Sequence, residues 1–242
     1  VLVRKGNMKI TAFISSSGHN GNTATAAGEL LRGAAEAGAD TDICYLLDYQ
    51  IKPCRGCRVC ETTNACVIRD DDVAKIHEKI LASDAYIIGT PTYYGDITGQ
   101  YKQFVDRCYP FVDIKKDPLT KKMSFGSVIP VRKPGIMINV AGNHGAKVFE
   151  SHLKVGYFCF NDLNAYPWKE ILITNTSWKK VQEQPETMDR LYRAGKALAE
   201  HLLSGGKEDP ARTKKFYDHF RLLEDIELPS YEENISNSLG YV

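Results

Sequence analysis

The sequence predicts an α/β protein, an open doubly wound sheet of five parallel strands in the order 2-1-3-4-5, with an insertion and a C-terminal helical extension. Two observations carry this. Short buried-strand runs alternate with amphipathic helical runs from residue 9 to residue 203, which implies parallel pairing through right-handed crossovers. The loops after strands one, three and four are rich in Gly, Ser, Asn and Tyr, and in such sheets ligands sit beyond the carboxyl ends of the strands, where the winding reverses.

The elements follow in order. Lys9 to Ile14 reads as a buried strand, followed by the polar loop Ser15-Ser16-Ser17-Gly18-His19-Asn20-Gly21-Asn22-Thr23 and a helix over Ala24 to Ala37 that stops near Gly38. Thr41 to Leu47 is the second strand. Asp70-Asp71-Asp72 marks the start of a helix running through Leu81, and Ala85 to Gly89 is the third strand. After Thr90-Pro91-Thr92-Tyr93-Tyr94-Gly95-Asp96 comes a helix from about Thr98 to Cys108. Gly135 to Val140 gives strand four, Ala146 to Phe160 a helix, Glu170 to Thr174 strand five, and Pro185 to Leu203 a closing amphipathic helix.

One domain therefore spans 8–203. Within it, Tyr109 to Arg132, marked by three prolines, is an insertion expected to act as a lid or subunit contact. The extension 204–242 carries one short helical pattern, about Pro210 to Leu223, and then an acidic tail. Val1 to Asn7 reads as an upstream extension, because the strand signal begins only at Met8.

Composition narrows the function. Thirty-one Lys and Arg against 30 Asp and Glu leave a net charge of +1, too little field of one sign to hold nucleic acid or an anionic membrane. No run approaches the ~20 apolar residues of a membrane span or the apolar core of a secretory signal, so a cytoplasmic location is expected.

Seven cysteines are present, and four of them, Cys54, Cys57, Cys60 and Cys66, fall within a single 13-residue stretch in the loop 53–67. Cys44, Cys108 and Cys159 stand alone in apolar surroundings, as small core residues do. A reducing compartment opposes disulfides. Zinc sites usually pair two Cys-x-x-Cys knuckles across a spacer that is missing here. Thiolates at successive three-residue steps match an iron–sulfur run, with Cys66 as a local fourth ligand and Gly56 letting the backbone curl. Zinc, and reduced thiols without metal, remain open alternatives on spacing alone.

The first loop offers hydroxyls at Ser15, Ser17 and Thr23 and the Asn22 amide at a helix start, where about half a positive charge and several free N–H groups receive a phosphate without any lysine. Neither a P-loop nor a Gly-x-Gly-x-x-Gly fingerprint is present. Tyr93 and Tyr94 supply aromatic faces for a planar ring, and Ala141-Gly142-Asn143-His144-Gly145 lets backbone approach it. His19 and His144 lie in loops where they can touch a ligand, and no Ser/His/Asp or Cys/His constellation assigns a catalytic acid or base.

Ser15 to Thr23, Pro91 to Asp96 with Gln100, Lys102, Asp106 and Arg107, and the four-cysteine loop backed by Asp70-Asp71-Asp72 together resemble the iron–sulfur flavoproteins of the NADPH-dependent FMN reductase superfamily, over roughly Met8 to Leu203. The resemblance implies a flavodoxin-like fold and a flavin-dependent oxidoreductase. It places Ser15, Ser17, Asn22 and Thr23 on the FMN phosphate and Pro91, Thr92, Tyr93, Tyr94, Gly95 and Asp96 along the isoalloxazine and ribityl. Ala141, Gly142 and Asn143 would lie at the ring edge, and Cys54, Cys57, Cys60 and Cys66 on a 4Fe-4S cluster. Gly18-His19 replaces the Pro-Arg common in that family, removing one guanidinium from the phosphate. The function so implied couples two-electron flavin chemistry to a one-electron cluster, in a homodimer or homotetramer served by a small redox partner such as NAD(P)H, a quinone or a ferredoxin. The alternatives are a cluster-free NAD(P)H-dependent FMN or quinone reductase with inert or zinc-bound cysteines, and a non-catalytic zinc-containing adaptor.

Overall fold

Buried aliphatic runs with polar loops between them dictate a wound sheet, and the computed structural model, which describes residues 8–143 and 145–218, has one. Strands β1 (Lys9–Ile14), β2 (Asp40–Tyr45), β3 (Ala85–Pro91), β6 (Lys133–Val140) and β7 (Ala165–Ile173) form a parallel sheet in the order β2-β1-β3-β6-β7. Counted along this sheet, that is the expected 2-1-3-4-5 order. The remaining strands, β4 (Val112–Lys116) and β5 (Met123–Ser127), make a separate antiparallel hairpin.

Alternate residues of each strand enter two different layers. Ile10, Ala12 and Ile14 of β1 join Ile87, Ile138 and Ile171 under helices α1 (Asn22–Glu36) and α6 (Pro185–Leu203). Gly33 and Gly195 let those two helices meet backbone to backbone: a methyl on Gly195 would collide with the Leu30 carbonyl. On the other face Phe13 stacks on Phe104 with ring centroids 5.6 Å apart, and Gly135 leaves room for the Phe160 ring. That layer is built from α3 (Val73–Ala82), α4 (Gly99–Arg107) and α5 (Glu150–Asp162).

Several boundaries differ from the sequence reading. β2 ends at Tyr45, and Leu46–Asp48 turn into a short 3-10 segment instead of finishing the strand. α5 begins at Glu150, after a 3-10 turn over Ala146–Phe149. β7 starts five residues before the expected Glu170, at Ala165. Its register against β6 shifts between Gly135 and Ile136, so Trp168 is skipped, and Pro167 is tolerated because β7 is an edge strand. Pro134 enters β6 because the β3 ladder begins only at Gly135. The insertion Tyr109 to Arg132, expected as a lid or subunit contact, holds the β4–β5 hairpin, an element not read from the sequence.

The chain divides into two units, Val1–Glu208 and Asp209–Val242. In the second, α7 (Pro210–Asp218) starts with a proline and is capped by Asp209, whose carboxylate accepts from the Ala211 and Arg212 N–H groups. Its expected continuation through Leu223, the acidic tail, Val1 to Asn7 and His144 lie outside the described residues. Among the described residues, no helix is long and apolar enough to cross a membrane.

Candidate functional site

The parallel register brings the expected loops together. Ile14 pairs with Gly89 and Pro91 with Val140, so the loops after β1, β3 and β6 leave the sheet side by side at its carboxyl edge. Their first residues are stitched: the Ser15 N–H donates to the Gly89 carbonyl at 3.0 Å and the Thr92 N–H to the Val140 carbonyl at 2.7 Å.

Within the first loop the residues divide their duties. Ser15 is buried and its hydroxyl donates to the Gly89 carbonyl at 3.2 Å, while Ser17 stands exposed. Asn22 accepts the Val181 N–H through Oδ1 at 3.0 Å. His19 sits 2.8 Å from the Asp48 carboxylate and packs on the Tyr45 ring, so it is engaged at the carboxyl end of β2. Gly21 occupies the N-cap of α1, and no side chain caps that helix. Thr23, on its first turn, is 1% exposed, and its hydroxyl is buried without a partner. An open helix terminus beside an orphaned hydroxyl suits the oxygens of a phosphate.

The second loop is a tight reverse turn. Tyr93 and Asp96 exchange backbone hydrogen bonds at 2.8 and 3.1 Å, and Tyr94 (φ 51°) and Gly95 (φ 81°) both take left-handed conformations, as a type I′ turn requires. A tyrosine held there is strained by of order 1 kcal/mol or more, and the turn thrusts Tyr94 fully into solvent with Tyr93 about half exposed. Asp96 accepts the Ile97 N–H, and the Ser151 hydroxyl helps hold its carboxyl below the usual range.

Two contributions were not read from the sequence. His152, on α5, is buried under this turn with Nε2 3.3 Å from the Thr92 hydroxyl, and burial lowers its basicity. A fourth loop, residues 174–180, joins the rim: the N–H groups of Asn175, Thr176 and Ser177 donate to the carbonyls of Asn143, Ala141 and Gly142, each at 3.3 Å. A Cβ on Gly142 would meet the Ser177 hydroxyl, so glycine lets the two loops pack closely. The signal available for this loop was the Asn-Thr-Ser cluster after strand five, the same kind of punctuation that flagged the first loop.

The four clustered cysteines line one cavity of about 520 Å3, together with Arg55, Arg58, Ile68, Tyr109 and Asp162 among others. Its backbone curls through three left-handed residues, Gly56, Arg58 and Asn64, around the single-turn helix α2 (Cys60–Thr63). Cys54 and Cys57 are exposed, Cys60 and Cys66 half-buried, and all are free thiols. Burial pushes the Cys60 thiol up, and its three cysteine neighbours add to the rise. Among the described residues no three His, Cys, Asp or Glu side chains gather closely enough to hold a metal ion, although the four thiols line the same cavity. Four cysteine sulfurs are a donor set of the kind that holds an iron–sulfur cluster or a zinc ion. Asp71 and Asp72 do more than start α3: they accept the Lys52 and Gln50 N–H groups and so anchor the loop's entrance. α4 links the two regions. Thr98 caps its N-terminus beside the tyrosine turn, and Arg107 ends it under the cysteine cavity, nine residues or about 13 Å away.

A wound parallel sheet with this rim defines a flavodoxin-like α/β protein, a class that holds its ligand beyond the carboxyl ends of the strands. Residues 8–179 match the model of the NADPH-dependent FMN reductase family, to which this chain belongs, alongside its iron–sulfur flavoproteins. An iron–sulfur flavoprotein of Methanocaldococcus jannaschii is 36% identical over 103 residues, 43% of this chain and 53% of the relative. One of Methanosarcina thermophila is 36% identical over 100 residues, 41% and 52%. This chain thus spans about half the length of these two. A second Methanocaldococcus jannaschii iron–sulfur flavoprotein is 30% identical over 162 residues, 62% of this chain and 74% of the relative. Among solved structures, the NAD(P)H:quinone oxidoreductase of Methanothermobacter marburgensis superposes with a TM-score of 0.57 at 15% identity, covering 79% of this chain and 98% of its own. An FMN-dependent NADH-azoreductase of Bacillus anthracis in complex with FMN gives 0.58 at 12%, covering 79% and 99%. At these identities the structures speak for the fold alone.

Proposed function

We propose that this chain is an FMN-dependent oxidoreductase that couples two-electron flavin chemistry to a one-electron 4Fe-4S cluster. The observation that carries the reading is the pairing of two unlike receptors at the two ends of α4: an uncapped helix terminus with an orphaned hydroxyl on the rim, and a four-thiol cavity. When bound, FMN supplies reversible two-electron exchange and the cluster supplies single-electron exchange.

The chain's own residues bind and orient. The N–H groups at the start of α1, with Ser17, the Asn22 amide and Thr23, receive the phosphate without a cation, and Ser15 fixes the loop to β3 from inside. The backbone from Pro91 to Asp96 and from Ala141 to Asn143 borders the ring, with Tyr93 or Tyr94 as its stacking face. His152, kept neutral by burial, supports Thr92 from beneath. Cys54, Cys57, Cys60 and Cys66 hold the cluster. The reductant is NAD(P)H or a small electron carrier such as ferredoxin, and a quinone or another carrier receives the electrons. The assembly is a homodimer or homotetramer.

Anaerobic purification followed by flavin, iron and sulfide analysis tests this. The expected result is FMN together with four iron and four sulfide per chain, the stoichiometry of the proposed cluster. Flavin without iron leaves the cluster-free reductase, and zinc without flavin leaves the adaptor. Either result refutes the coupling.

A further inference from the structure

Under the cysteine cavity lies a charged side chain that the function above does not use. Arg107 closes α4, yet it is only 2% exposed. Its guanidinium donates to the Lys52 carbonyl at 2.7 Å and to both oxygens of the Asp71 carboxylate, at 2.5 and 3.3 Å, and its charge lies within electrostatic reach of Cys66. Asp71, equally buried, accepts the Lys52 N–H at 3.0 Å and the Val73 N–H at 3.3 Å. The Arg107 carbonyl lies 2.9 Å from the His77 ring nitrogen, which fixes the end of α4 against α3.

These contacts have a common geometry. Lys52 stands two residues before Cys54, Cys66 is the last of the four thiols, and Asp71 stands five residues beyond it. One planar, five-donor cation therefore reaches both the entrance and the exit of the cysteine loop, and a lysine, as a point charge, cannot bridge three acceptors set in different directions. The Arg107 Nε–H remains buried without a partner, so the guanidinium has donor capacity left over after the clamp is made. A cation and its counter-ion are expensive to bury, and the chain keeps this pair directly behind thiols, where hydrogen bonds to sulfur and nearby charge set the potential of a cluster.

We propose that Arg107 is the positioning residue of the cysteine site: paired with Asp71, it clamps the two ends of the cysteine loop and raises the reduction potential of the centre held there. This rests on the cluster reading of the cavity. A nearby positive charge favours the more negative, reduced state. Its removal leaves the buried Asp71 carboxylate uncompensated at the exit of the cysteine loop and displaces the potential to more negative values.

The experiment compares wild type, Arg107→Gln, Arg107→Lys and the double variant Asp71→Asn/Arg107→Gln, which leaves no lone buried carboxylate should the single variant fail to fold. Thermal melting selects the folded chains. Potentials are read by spectroscopic redox titration, iron by analysis, and the looseness of the loop by trypsin cleavage after the exposed Arg55 and Arg58 in the metal-free chain. Arg107→Gln is expected to lose iron roughly 10- to 100-fold more readily, to titrate at a more negative potential, and to be cut faster by trypsin. Arg107→Lys should keep a near-wild-type potential while its loop is still cut faster. The double variant should be cut as fast as Arg107→Gln, with a smaller shift in potential.

An unchanged potential in Arg107→Gln, with the cluster present, overturns the tuning half. Unchanged trypsin rates overturn the clamp. A wild-type chain without iron refutes the cluster reading and with it the tuning half, and the trypsin rates on the metal-free chains then decide the clamp alone.

Discussion

Replacing Thr23 by Val removes a hydroxyl while keeping the branched shape, and the structure sets two effects of opposite sign. The hydroxyl is buried, its residue 1% exposed, and it has no hydrogen-bond partner. An unsatisfied buried polar group costs about 1–3 kcal/mol. The flavin-free Val variant is therefore expected to be more stable than wild type by that amount, a rise of about 2–12 °C in melting temperature for a chain of this size. Thr and Val have similar helix propensities, so the first turn of α1 adds little to the difference. FMN binding should respond the other way. A hydrogen bond to a charged phosphate oxygen contributes about 1.5–3 kcal/mol, so the dissociation constant should rise about 10- to 150-fold. Differential scanning fluorimetry on the flavin-free protein and quenching of FMN fluorescence on titration read the two quantities separately. A variant that melts lower and binds FMN as tightly as wild type would make Thr23 an ordinary packed residue with no part in holding the phosphate.

Three further outcomes follow from the same geometry. Cys57→Ser should lose iron and the visible absorption of thiolate-bound iron while retaining FMN; full iron content would remove Cys57 from the ligand set. Gly195→Ala forces a methyl into the Leu30 backbone and should cost about 3 kcal/mol as α1 and α6 separate, seen as a melting temperature lower by about 6–12 °C; an unchanged melt would contradict the close crossing. Burial lowers the basicity of His152 in the folded chain, so the unfolded chain takes up the proton first as pH falls. The stability that a neutral His152 provides is complete above about pH 6.5 and is lost as pH falls below it towards the depressed folded value. Wild type should then lose more stability between pH 7.5 and 5 than His152→Gln does, and equal losses in thermal melts would contradict the assignment.

The legible parts of the fold were those where one local rule decides. Ile10 to Ile14 and Ala85 to Gly89 are buried on both faces and bounded by Ser and Gly, so a strand was the only economical reading. Where two local rules compete, the sequence misleads. Pro167 and Trp168 hide the first half of β7, because tolerance of a proline depends on being at the sheet edge, which is a property of the assembled sheet. The β4–β5 hairpin is obscured by Pro110, Pro118 and Pro130 around it, and its pairing of Ile114 with Phe125 is not local. At the site, the three expected loops do meet, since strand order alone brings them to one edge. The unexpected contributors, His152 and the 174–180 loop, come from α5 and the segment after β7, and only tertiary packing carries them under and beside the tyrosine turn. Arg107 could be seen as a helix-ending cation, but its bonds to Asp71 and Lys52 span 36 and 55 residues of chain and have no local signature.

On the proposed reading one chain holds a flavin on the sheet rim and an iron centre in the thiol cavity, at the two ends of α4. Crystals of the anaerobically purified protein, with diffraction collected at the iron absorption edge, test it directly. The expected result is an anomalous peak enclosed by Cys54, Cys57, Cys60 and Cys66, and flavin density whose phosphate meets the start of α1 beside Thr23. Iron bound elsewhere, or flavin density away from that helix terminus, would contradict it.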